Sequence, residues 1–83
     1  MKTIWKYTIP LEGRFSIGMP VDAEILCLQI QHGEPRIWAL VDPDAEIEER
    51  EFVLYGTGHP IERTGSYVGT YQTGSFVFHV FEV

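Results

Sequence analysis

The chain has 83 residues, 45% of them hydrophobic and 13% aromatic, and twelve acidic residues against six basic ones give a net charge of −6. This length predicts one domain with a single core. The acidic balance argues against nucleic acid as the main partner, and no apolar run approaches the ~20 residues of a membrane helix. We therefore expect one soluble domain over residues 1–83 that binds neither nucleic acid nor a membrane.

Alternation of apolar and polar side chains with a period of two predicts strands along most of the chain. In the N-terminal half, the predicted strands are residues 2–9, 14–19, 23–31 and 34–41. Pro10 and Pro20 end the first two, because proline donates no hydrogen bond to a neighbouring strand. His32 and Gly33 predict a tight hairpin turn between the last two, since glycine readily adopts a positive φ.

Residues 42–50 interrupt the alternation, and Asp42 with Pro43 fits either the start of a short helical turn or a plain acidic loop. A strand pattern resumes over residues 51–57. After a turn and a loop, residues 67–72 and 75–83 predict a final hairpin around Thr73 and Gly74. About seven short strands with regular turn spacing predict an all-β fold, either a small antiparallel β-sandwich or a partly open barrel, with at most one short helical turn.

The last predicted strand has apolar side chains on both faces. One face carries Phe76, Phe78 and Val80, and the other carries Val77, His79, Phe81 and Val83. A second apolar face in so short a chain often contacts another subunit. We therefore expect a homo-oligomer whose interface contains Phe76, Phe78, Phe81 and Val83.

Residues 56–61, which we call the glycine loop, form the densest group of unusual residues. Two glycines allow a ligand to approach the backbone, and His59 can exchange a proton near neutral pH. A phosphate-binding loop usually leads into a helix and often carries a lysine, whereas here Pro60 and an extended segment follow. The candidate contacts for a ligand or partner are Gly56, Thr57, Gly58 and His59. The alternative is a turn whose glycines only satisfy backbone geometry.

Half of the acidic residues lie within residues 42–51. This segment lacks the central glycine and the ligand spacing of an EF-hand calcium loop. Its acids are also too confined to imitate the phosphates of a nucleic acid. We interpret Asp42, Asp44 and Glu48 as candidate partner contacts, and the alternative is a solvated connection between strands.

No catalytic, metal or cofactor signature stands out. His32, His59 and His79 fall in different elements without metal-ligand spacing, and no serine or cysteine has the sequence context of a nucleophile. Cys27 is the only cysteine, so no internal disulfide forms, which fits a reducing cytoplasm. The N-terminal residues show no secretion signal. We expect no catalytic residue, no metal, no cofactor and a cytoplasmic location.

Four segments resemble a family of short proteins from tailed bacteriophages and prophages that is known as a domain of unknown function. They are MKTIWKY from Met1, WALVDP from Trp38, GTGHPI from Gly56 and FVFHVF from Phe76. The resemblance covers nearly the whole chain and implies a phage origin, with action in the host bacterial cytoplasm or in the virion. It implies no activity, cofactor or site residue.

Together these features predict a non-enzymatic phage accessory protein. We expect it to bind and sequester a host protein or a small signalling molecule in the host bacterial cytoplasm, as an inhibitor of antiviral defence. A minor structural or assembly protein of the virion is the alternative. A small nucleotide-acting enzyme that uses His59 is a third hypothesis.

Overall fold

A computed structural model describes residues 1–83 and shows seven β-strands without a helix. The strands are β1 (Thr3–Thr8), β2 (Arg14–Pro20), β3 (Glu24–Gln31), β4 (Glu34–Val41), β5 (Ile47–Gly56), β6 (Ser66–Thr73) and β7 (Phe76–Glu82). All paired strands are antiparallel and form two sheets, in the orders β1-β4-β3 and β2-β5-β7-β6. The predicted all-β fold is confirmed, and the two sheets do not join into a closed barrel.

Most strand ends agree with the alternation pattern. β4 has the predicted bounds, and the turn before it has positive φ at both His32 (52°) and Gly33 (77°), as a type I′ hairpin turn requires. β2 continues through Pro20, one residue beyond its predicted end. Proline is tolerated there because β2 is an edge strand.

Of the two alternatives for the acidic segment, the structure shows the plain connection without a helix, but only over its first half. There, the Asp44 N–H donates to Asp42 Oδ1 at 3.0 Å, and the Ala45 N–H donates to the Asp42 carbonyl at 3.1 Å. From Ile47 the chain is already β5, which pairs with β2. The predicted strand start at residue 51 is therefore too late.

The core lies between the two sheets. β4 contributes alternate residues from Ile37 to Val41, and the facing sheet contributes Phe15, Met19, Phe52, Leu54, Tyr71 and Val80. The sheets also approach each other where β3 meets β6, because Gly69 makes room for Leu28. A Cβ at position 69 would lie 2.8 Å from the Leu28 Cβ.

The two apolar faces of β7 have different surroundings. Val80 is fully buried in the core. On the outer face, the Phe81 ring packs edge-on against the rings of Tyr55 and Tyr67, with centroid distances of 6.4 and 5.6 Å. Side chains of the same chain thus contact Phe81, whereas Phe76 at the start of the strand remains 65% exposed.

Candidate functional site

The glycine loop turns back on itself directly after β5. Gly58 has a φ of 84°, which favours glycine, and the His59 N–H donates to the Gly56 carbonyl at 3.1 Å. The His59 ring lies against Gly56, since a Cβ at position 56 would lie 2.8 Å from His59 Cε1. Both glycines therefore have a local backbone role, while Thr57 and His59 are exposed.

A cavity of about 200 Å³, which we call the loop cleft, lies between the glycine loop and the start of β7. Its lining residues are Gly56, Thr57, His59, Ser75, Phe76, Val77 and Phe78. The Phe76 and Phe78 rings are stacked with a centroid distance of 6.1 Å. The structure thus places two groups of candidate residues, the glycine loop and the first phenylalanines of the last strand, around one cleft.

A chain of side-chain hydrogen bonds connects the glycine loop to β6 and β7. His79 Nε2 lies 2.6 Å from Thr57 Oγ1, and His79 Nδ1 lies 2.9 Å from Thr70 Oγ1. Thr70 Oγ1 in turn lies 2.5 Å from the Tyr67 hydroxyl. Because a neutral imidazole has one N–H and one bare nitrogen, one threonine donates to the ring and the other accepts from it.

Three residues outside the cleft lining support the site through this chain although their sequence positions do not single them out, namely Tyr67, Thr70 and His79. The final hairpin contains a signal, but the predicted turn is one residue too early. A turn at Thr73 and Gly74 would pair Val68 with His79, whereas the turn at Gly74 and Ser75 pairs Thr70 with His79. The contact between His79 and Thr57 has no such signal, because it depends on where the glycine loop returns.

The acidic candidates do not line the loop cleft. Asp42 and Asp44 lie in the connection before β5, and Glu48 lies on β5 opposite Met19 of β2. Glu48 instead lines a separate open groove of about 650 Å³ with other acids, namely Asp22, Glu24, Glu49, Glu51 and Glu82. The candidate residues from the two segments therefore do not form one site.

Arg50 lies in that acidic groove and connects three parts of the chain. Its Nε and Nη2 donate to the two carboxylate oxygens of Glu82 at 2.6 and 2.8 Å, and its Nη1 donates to the Ala23 carbonyl at 2.5 Å. The hydrogen bond to Glu82 raises the pKa of Arg50. These contacts tie β5 to β7 and to the β2–β3 connection, so we assign Arg50 a structural role.

Burial raises the pKa of two tyrosines. One of them is Tyr71. Burial also raises the pKa of Tyr7, and the positive charge of Arg50 partly opposes that rise. Both shifts are upward from an ordinary value of 10.0, so both phenols stay neutral at physiological pH.

No three His, Cys, Asp or Glu side chains converge as a metal site would require. The fold also lacks any helix with the length and apolarity of a membrane span.

One family model matches the whole chain, over residues 1–83, and its description is "Domain of unknown function (DUF7352)". The chain belongs to the DUF7352 family. This match confirms the domain of unknown function that the resemblance implies, while the phage origin stays a prediction. Neither a curated protein nor a solved structure matches this DUF7352 chain.

Proposed function

We propose that this DUF7352 protein is a non-enzymatic binding protein that sequesters a host protein at the loop cleft. The supporting observation is the composition of that cleft. It combines the hydrogen-bonding side chains of Thr57 and His59 with the ring of Phe76, which is 65% exposed. An accessible aromatic ring beside hydrogen-bonding groups is typical of the positions that anchor protein partners.

The size of the cleft favours a protein over a small signalling molecule. Sites for drug-sized small molecules usually occupy roughly 300–1,000 Å³. The loop cleft has about 200 Å³, which suits one side chain of a partner. We therefore propose that a single partner side chain enters the cleft while the rest of the partner covers the exposed loop.

The resemblance to phage and prophage proteins supports a partner from the infected bacterium. We propose that this partner belongs to the host's antiviral defence and that binding takes place in the host cytoplasm. Mass spectrometry of purified virions tests the structural alternative. Presence of the protein at a fixed stoichiometry in particles would favour a virion role and contradict sequestration.

Replacement of His59 by alanine is expected to weaken partner binding about fivefold or more, because loss of an anchoring side chain costs more than ~1 kcal/mol. The partner is first identified by affinity purification of the tagged protein from infected cells, followed by mass spectrometry. The affinity of the purified partner for each variant is then measured by calorimetry.

Two further variants sharpen this experiment. His32→Asn removes an exposed imidazole from the β3–β4 turn, where asparagine tolerates the positive φ of 52°, and it should keep wild-type affinity. Gly56→Ala should displace the His59 ring and weaken binding while the protein stays folded, since His59 is exposed and free to move. Unchanged affinity in both His59→Ala and Gly56→Ala would remove the loop cleft from the proposal.

We also propose that, when no partner occupies the loop cleft, the protein self-associates through its exposed phenylalanine, so that a second copy and the partner compete for Phe76. Phe76→Asp is expected to reduce the molar mass in light scattering to that of a monomer, because a carboxylate replaces apolar area that the contact buries. Leu11→Asp, at another exposed apolar position, should leave the mass unchanged. A wild-type protein that is monomeric at all concentrations would contradict self-association.

A further inference from the structure

We infer that His79 is a positioning residue that holds Thr57, and with it the glycine loop, in the arrangement that forms the loop cleft. The importance of this role for binding rests on the proposed function. The positioning itself follows from the contacts of the free protein. His79 does not line the cleft, so it acts on a partner only through Thr57.

Thr57 has few other attachments. Its backbone N–H donates to the Val77 carbonyl at 3.1 Å, and its hydroxyl lies 3.5 Å from the same oxygen, which is long for a hydrogen bond. The 2.6 Å contact with His79 Nε2 is therefore the closest hydrogen bond of the Thr57 side chain. The next residue, Gly58, permits many backbone conformations, so the position of the loop depends on hydrogen bonds of this kind.

The backbone of His79 is itself held firmly by the sheet. It lies on β7, an interior strand of its sheet, and pairs with Tyr55 of β5 on one side and with Thr70 of β6 on the other. Interior strands are held by backbone hydrogen bonds on both edges. The hydrogen bond between the imidazole and Thr57 thus holds the loop, which lies outside the sheet, to an interior strand.

Thr70 and Tyr67 support the ring from the other side. Thr70 Oγ1 forms a hydrogen bond with His79 Nδ1, and the Tyr67 hydroxyl forms one with Thr70 Oγ1. Neither residue lines the loop cleft. They set the orientation of the imidazole, and so we expect their effect on Thr57 to pass entirely through His79.

The test is residue-resolved hydrogen exchange by NMR on the free protein, read at the Thr57 amide. His79→Ala should accelerate that exchange roughly three- to tenfold, the size expected for the loss of one net hydrogen bond. Amides of β5, β6 and β7 should keep their exchange rates. The control variant Thr3→Val, on β1 in the other sheet, should change none of them.

The conservative variants separate positioning from a general packing role. A glutamine amide reaches the place of Nε2, whereas an asparagine amide reaches only that of Nδ1. His79→Gln should therefore restore protection of the Thr57 amide, and His79→Asn should not. Equal protection in the two variants, or no acceleration in His79→Ala, would overturn the inference.

A double-mutant cycle tests the route from Thr70. Thr70→Val alone should accelerate Thr57 exchange, and it should add nothing in the His79→Ala background, because the ring through which it acts is gone. Additive effects would overturn this route. Every measurement uses the free protein. Absence of a host partner would therefore contradict the proposed function alone and would not change the expected exchange rates.

Discussion

Replacement of Arg50 by methionine is expected to lower the free energy of unfolding by about 2–3 kcal/mol. Glu82 would lose both guanidinium donors while its carboxylate stays in a partly buried place. The expected loss is below the ~3–5 kcal/mol of a fully buried pair because the two side chains keep 17% and 22% exposure. Urea unfolding followed by tryptophan fluorescence measures it.

Two comparisons isolate the charge pair from other effects. The double variant Arg50→Met with Glu82→Leu should recover much of the lost stability, because it leaves no charge without a partner. Glu34→Gln removes the carboxylate of the other ion pair, that of Arg36, and should cost less than ~1 kcal/mol because Glu34 is exposed. If Arg50→Met costs no more than Glu34→Gln, the Arg50 contacts do not stabilise the fold as we propose.

The strands could be predicted from sequence because one sheet face is buried. In β4, Ile37, Ala39 and Val41 face the core, and this burial creates the alternation from which the strand is predicted. Strand pairing could not be predicted in the same way. β1 pairs with β4, and β2 pairs with β5, because the chain crosses between the sheets after β1, after β2 and after β4. Alternation carries no information about these crossings.

The late predicted start of β5 has a physical cause. The positions that alternate with the core-facing Phe52 are occupied by Arg50, which is half-buried, and by Glu48, which is exposed, so no apolar residue marks the core side there. Arg50 is accommodated because Glu82, far away in sequence, supplies two of its three hydrogen-bond acceptors. A partly buried charge in a strand needs a partner, and the partner of Arg50 is visible only in the folded chain.

The candidate site, like the fold, could be predicted only in part. The glycine loop stands out by its residue types, whereas the pairing of Thr70 with His79 requires a hairpin turn one residue later than the predicted one. The loop cleft itself follows from a long-range pairing, that of Gly56 with Phe78 between β5 and β7. This pairing brings the loop next to Phe76. The residue types of the site are visible in the local sequence, whereas their proximity depends on how the strands pair.

Phe52→Ala is expected to lower the free energy of unfolding by about 3–5 kcal/mol, the usual cost of truncating a buried phenylalanine. The Phe52 side chain is 0% exposed, and its ring stacks on Phe15 with a centroid distance of 5.3 Å. Because a small domain has only roughly 5–15 kcal/mol in total, this variant should lose a large share of its stability. Urea unfolding at several protein concentrations provides the measurement.

Phe76→Ala is the matched control, because it removes the same group from a position that is 65% exposed. In a monomer it should cost less than ~1 kcal/mol, since little apolar area is lost from the core. If the loss instead approaches that of Phe52→Ala and grows with protein concentration, Phe76 is buried by a second copy, because only association makes stability depend on concentration. A large loss that is independent of concentration would contradict both the exposed position of Phe76 and its role in self-association.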